Sequence, residues 1–259
     1  MLTALLLGAV IGILLGLLGG GGSILAVPAL VYGAGLPLAA AIPTSLLVVG
    51  ISSATAVLPR IRTGQVRWRI AAVVGGTGAV TAFGGVALNR LLPASAVMLG
   101  FATIMVVAGW RMLSEQMARG GACALPGGGV NWRGCLPKAA TAGAAVGLLT
   151  GLFGVGGGFL IIPALVLGLG LPMTTAVGTS LLIVTANAAA GLAAHGDAPF
   201  TWAITGAFTI AAISGSLTAA RLARRLHAAR LRRWFAYLVF AVAALIVVQT
   251  LTNPAALTS

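Results

Sequence analysis

The 259 residues are 59% hydrophobic and only 7% charged, with a mean hydropathy of +1.11 and a net charge of +13. Polar surface on that scale cannot cover a water-soluble core, which excludes a soluble enzyme or binding module and indicates a polytopic membrane protein. Apolar stretches of roughly 17 to 25 residues recur along the whole chain, so membrane-crossing helices are expected rather than alternating barrel strands. The Arg residues fall in short segments between those stretches, the pattern of the positive-inside rule, and no nucleic-acid partner is expected.

In chain order, Leu2 to Leu18 reads as a short helix broken by Gly19 to Gly22, and Ser23 to Tyr32 as a second short helix before a turn at Gly33 to Pro37. Ala39 to Val57 follows as a span ended by Pro59, then a connector with Arg60, Arg62, Arg67 and Arg69. Ile70 to Leu88 and Val97 to Met112 cross next, joined by a turn that carries Arg90. A Gly-rich polar stretch with Arg119, Arg133, Cys123 and Cys135 reads as a linker.

The order then repeats. Ala139 to Phe153 is a short helix, Gly154 to Gly158 breaks it, and Phe159 to Leu167 resumes. Spans are expected over Ala176 to Ala194, Trp202 to Ala219 and Phe235 to Leu251, with a connector containing six Arg before the last. Gly16 to Val49 aligns without a gap on Gly151 to Val184, and about twenty of the thirty-four positions are identical, which marks an internal duplication. The chain therefore divides into a first transmembrane repeat at 1–113, a cytoplasmic linker at 114–138 and a second repeat at 139–259. Trp68, Trp110, Trp202 and Trp234 fall at span ends, where indole rings favour the interface.

Charge orients the two copies. The Arg60 to Arg69 connector corresponds to His195 to Pro199, which has no Lys or Arg, and the turn with Arg90 corresponds to the connector with six Arg. Equivalent loops thus lie on opposite faces, and the second repeat is inverted, with both termini outside. Three spans per half satisfy the inversion only if each glycine-broken pair returns to the side it came from. The expected architecture is all-α, with six full spans and two re-entrant helical hairpins, about eight segments in all. Two full crossings by each broken pair give the same parity, and that alternative stays open. The short second arm, about 15 to 20 Å of helix, favours the hairpin.

A helix resumed after consecutive glycines presents unpaired amides and the positive end of its dipole, and two such ends from opposite halves suit an anion. The candidate binding residues are Gly21, Gly22 and Ser23 with Gly156, Gly157 and Gly158. The paired hydroxyls Thr44, Ser45, Thr179 and Ser180 lie about 12 Å into their spans, and Asn187 is a weaker addition. Each hydroxyl also has a plain alternative, a bond to the carbonyl one turn back. Gly75, Gly76, Gly84 and Gly85 are assigned to close helix packing.

Glu115 and Asp197 are the only acidic residues, and both fall in connectors, so no intramembrane carboxylate is available for a cation. The passenger is expected to be anionic or neutral. The C-x11-C spacing of Cys123 and Cys135 fits neither a zinc pair nor a redox motif, and free thiols are expected in a cytoplasmic linker. No cofactor, metal or catalytic group is expected. The first apolar segment lacks a basic leader and cleavage site and reads as mature protein.

The pattern GLLGGGGSILAVPAL, with GLFGVGGGFLIIPAL in the second copy, each followed by GLP and TSLL, resembles the sulfite exporter TauE/SafE family of bacterial membrane transporters. The resemblance covers essentially the whole chain. It implies a multi-pass protein of the bacterial cell membrane that moves sulfite, sulfoacetate or a related organosulfonate. Export is the expected direction because a negative-inside voltage drives an anion outward, and a homo-oligomer is compatible with the reading. Uptake of another small anion and a noncatalytic assembly or scaffold role remain the alternatives.

Overall fold

The computed structural model describes residues 2–33, 35–89, 91–114, 132–153, 158–193, 202–223 and 227–252. Among these residues every regular element is helical. The first half holds α1 (Leu2–Leu18), a 3-10 turn (Gly19–Gly22), α2 (Ser23–Pro28), a π-helical turn (Ala29–Gly33), α3 (Leu38–Arg62), α4 (Trp68–Asn89) and α5 (Ala94–Leu113). The second holds α6 (Trp132–Phe153), α7 (Gly158–Pro163), a π-helical turn (Ala164–Gly168), α8 (Met173–Ala193), α9 (Trp202–Ala223) and α10 (Ala228–Thr252).

Among the described residues, five helices are long and apolar enough to cross a membrane, namely α3, α4, α6, α8 and α10. This differs from the expectation at α6. The helix α6 starts at Trp132, inside the stretch read as linker, and its apolar run Gly134–Leu152 is itself of spanning length. The helices α5 and α9 contain the other expected segments, Val97 to Met112 and Trp202 to Ala219. Large side chains such as Leu6, Val80, Phe83, Ile210 and Tyr237 are exposed on the bundle, a surface suited to lipid rather than water. Trp68, Trp110 and Trp234 are likewise exposed.

Gly64, not Pro59, ends α3. Its backbone is left-handed, its N–H donates to the Ile61 carbonyl at 3.0 Å, and the Gln65 N–H donates to the Arg60 carbonyl at 3.0 Å. This paired closure satisfies carbonyls of the last turn and outweighs the one donor that Pro59 lacks. Arg60 and Arg62 are thereby helical rather than part of a loop.

The packing exchanges elements between the halves. The helix α1 packs on α9 and α6 on α4, while α3 pairs with α8 and α5 with α10, so swapping the halves returns the same set of partners. Apolar burial gives no net drive between helices in lipid, so close van der Waals approach must. Glycine supplies it. A β-carbon at Gly8, Gly12 or Gly16 would run into main chain at Phe208, Ala212 and Ser216, so α1 and α9 lie parallel with four-residue register. Gly143, Gly147 and Gly151 meet Val74, Gly78 and Ala82 in the same way. The packing role assigned to Gly75, Gly76, Gly84 and Gly85 is largely corrected. Only Gly85 meets a close neighbour, the Leu148 carbonyl, whereas Gly76 and Gly84 face open space and Gly75 touches only Ile183 at 3.8 Å.

Cys135 also departs from expectation, being buried and disulfide-bonded rather than a free thiol. The early start of α6 holds it against the core, whereas a loose linker was expected there. Cys123, Arg119, Arg90, Glu115, His195 and Asp197 lie outside the described residues.

Candidate functional site

The two glycine segments meet. Gly19, with φ +67°, ends α1 and turns the chain. A β-carbon there would lie 2.6 Å from Ser180 Oγ on α8 and 3.1 Å from Ile162. One residue on, a β-carbon at Gly20 would overlap the Gly158 carbonyl, and one at Gly158 would come within 2.7 Å of Ser23 Oγ and 2.9 Å of Val184. The first-half break and the start of α7 therefore cross main chain to main chain, with Ser180 beside them. Phe159, edge-on to Phe101 with ring centroids 5.4 Å apart, fixes α7 against α5.

The candidate residues divide by what their polar groups do. Ser23 donates both its N–H and its hydroxyl to the Gly20 carbonyl, the latter at 2.6 Å, so that amide is already engaged. Gly21 lies in the 3-10 turn, and Gly22 turns back on α1, where a β-carbon would lie 2.8 Å from the Ile11 carbonyl. Gly158 is buried at the crossing, and Gly156 and Gly157 lie outside the described residues.

The hydroxyl pairs differ within each pair. Ser45 donates to the Ile42 carbonyl at 2.7 Å and Ser180 to the Val177 carbonyl at 3.0 Å, the ordinary bond one turn back. Thr179 Oγ1 instead accepts the Arg67 N–H at 3.2 Å, tying α8 to the start of α4. Thr44 Oγ1 is fully buried with no partner among the described residues. Asn187 is exposed, whereas its counterpart Ser52 is buried.

One residue was misread in the sequence. Arg60 counted as a loop charge, yet it is 5% exposed, and its guanidinium donates to the Gly16 carbonyl at 2.6 Å. Spacing held the signal, since Arg60 follows the buried Ser53 by seven residues and precedes the closing Gly64 by four. Two further arginines, Arg111 and Arg232, line an open cavity of about 420 Å³ between the end of α5, the turn 166–173 and the start of α10. Among the described residues no three His, Cys, Asp or Glu side chains come together.

The family model for sulfite exporter TauE/SafE matches residues 4–246. A probable membrane transporter protein of Xylella fastidiosa strain Temecula1 is 36% identical over 178 residues, covering 68% of this chain and 67% of that one. Its counterpart in strain 9a5c is 38% identical over 181 residues, with the same coverage. The probable membrane transporter protein YdhB of Bacillus subtilis is 29% identical over 189 residues, covering 70% of this chain and 73% of that one. No solved structure gives a significant match. With apolar helices of spanning length and a match over nearly its whole sequence, the chain belongs to the sulfite exporter TauE/SafE family and is a multi-pass membrane transporter.

Proposed function

We propose that the chain is a secondary transporter of a small sulfur-containing anion, with sulfite, sulfoacetate or another organosulfonate as substrate and export from the bacterial cytoplasm as its direction. The observation that carries this reading is the crossing of Gly19 and Gly20 with Gly158 beside Ser180, where backbone from both halves meets at positions that exclude any side chain. Irregular backbone at membrane depth is tolerated only when buried in protein or lining a cavity, and no carboxylate among the described residues competes for an anion there.

The transport cycle rocks one inverted half against the other around that crossing. Several observations support the inversion. Antiparallel α3 and α8, with Gly50 against Ala188 and Gly191 against Leu46, follow if each broken pair returns to its own side. The segment Gly158–Gly168 has eleven residues, about 16 Å of helix against about 30 Å of hydrocarbon, so it reaches only partway. Both π-helical turns close alike, with Leu36 N–H on the Leu30 carbonyl at 3.1 Å and Leu171 N–H on the Leu165 carbonyl at 3.0 Å. Basic connectors on one face support a reading in which both termini lie outside. Export of a monovalent anion from a negative-inside cell gains about 2.3 kcal/mol per 100 mV and needs no coupled cation.

The test is a panel of sulfite, thiosulfate, sulfate, sulfoacetate and taurine in vesicles reconstituted with this protein alone. Voltage-dependent movement of at least one sulfur oxyanion is expected. Movement of none overturns the reading.

A further inference from the structure

Arg60 is the one charged side chain that is buried among the described residues, and it lies where α1, α3 and α9 meet. Its single hydrogen bond is to the Gly16 carbonyl, and no carboxylate among the described residues faces it. A guanidinium carries five N–H donors and keeps its charge in any protein setting. Buried beside one neutral carbonyl, it has no counter-charge among the described residues, where such a group requires one.

The surrounding hydroxyls are unused as well. Ser52 and Ser53 are fully buried, and neither side-chain oxygen has a partner among the described residues. Most Ser and Thr hydroxyls in the described helices bond a carbonyl of their own turn, as Thr55, Thr77 and Ser214 do. Ser53 and Arg60 are seven residues apart, as are Ser45 and Ser52, so all four share one broad face of α3 at steps of about 10 Å. Ser216 of α9 closes that face, reaching the Ser52 carbonyl at 3.5 Å. The second half lacks this set. Its equivalents are the exposed Asn187 and the buried Ala188, and His195 at the position of Arg60 lies outside the described residues.

We propose that Arg60, with Ser52 and Ser53, is a second anion-binding site, at which an oxyanion waits between the glycine crossing and the α3–α4 connector. This rests on the transport reading above. An oxyanion there supplies the missing counter-charge, accepts from the free guanidinium N–H groups and takes the two serine hydroxyl protons as hydrogen bonds. Because Gly16 lies about one turn before Gly20, Arg60 also ties occupancy of this site to the last turn of α1 before the break.

The test measures sulfite in two ways, as flux into reconstituted vesicles and as concentration-dependent thermal stabilisation of the purified protein. Wild type is compared with Arg60→Gln, Arg60→Lys and the double variant Ser52→Ala/Ser53→Ala. Loss of a charged hydrogen-bond partner predicts that Arg60→Gln raises the half-maximal sulfite concentration about ten- to a hundredfold in both measurements. Arg60→Lys falls between, and the double alanine variant shifts by about threefold to tenfold. An Arg60→Gln protein with the melting profile and sulfite dependence of wild type overturns the proposal. If Arg60→Gln does not fold, the double alanine variant decides, and an unchanged sulfite dependence overturns the site. Wild-type flux with sulfite dependence unaltered in every variant leaves the transporter and removes this site. Stabilisation lost in the variants without wild-type flux keeps the site and removes sulfite transport. Neither flux nor stabilisation in wild type removes both.

Discussion

Gly20 and Gly158 lie so close that a β-carbon on the first would overlap the carbonyl of the second. They come from different halves of the chain, 138 positions apart. A Gly20→Leu protein should lose at least about tenfold of its sulfite flux, since even modest overpacking shifts neighbouring backbone. Gly76→Ala, which adds its methyl to open space, should transport as wild type does.

The packing glycines make a separate prediction on stability. Gly12→Val forces a branched side chain into the Ala212 main chain and should destabilise the α1–α9 pair by about 1–3 kcal/mol. Gly84→Ala, with nothing within 4 Å, should be neutral or gain up to about 1 kcal/mol from better helix propensity. Thermal melts of both in one detergent check the contrast, and equal shifts would contradict the contact pattern.

Thr179 and Ser180 are neighbours with different tasks. Thr179→Val leaves the Arg67 N–H without its acceptor and should cost about 1 kcal/mol of stability. Ser180→Ala loses only a bond to its own turn, so stability should move by less than about 0.5 kcal/mol. Flux should respond in the other order, because Ser180 Oγ, not Thr179, faces the crossing at Gly19. Melting and flux measured on the same preparations test both halves of that statement.

Much of this was legible in the sequence because duplication writes each feature twice. The aligned Gly-Pro segments announced the broken helices and the meeting of the halves. The rest depended on partners that one chain does not display. Gly8, Gly12 and Gly16 recur in four-residue steps, as do Gly143, Gly147 and Gly151, yet the more obvious Gly75-Gly76 and Gly84-Gly85 doublets drew the packing assignment. Adjacent glycines point in different directions on a helix, whereas a four-residue step keeps one face. Arg60 was hidden by Pro59. Reading a helix end at the proline turned a buried guanidinium into a loop charge, although Gly64 held the stronger stop signal.

Orientation has its own test. In a Cys123→Ser/Cys135→Ser background, Gly64→Cys and Gly196→Cys lie in corresponding connectors of the two halves. An impermeant thiol reagent should reach the first only from the cytoplasmic face and the second only from outside. Labelling of both from one face would contradict the inverted arrangement.

The most direct measurement is sulfite efflux from vesicles holding only this protein, recorded for wild type and Gly20→Leu under an imposed inside-negative voltage. The account predicts efflux that grows with voltage in wild type and falls to the protein-free baseline in the variant. Wild-type vesicles no leakier to sulfite than empty ones, or a folded Gly20→Leu protein exporting at the wild-type rate, would contradict it.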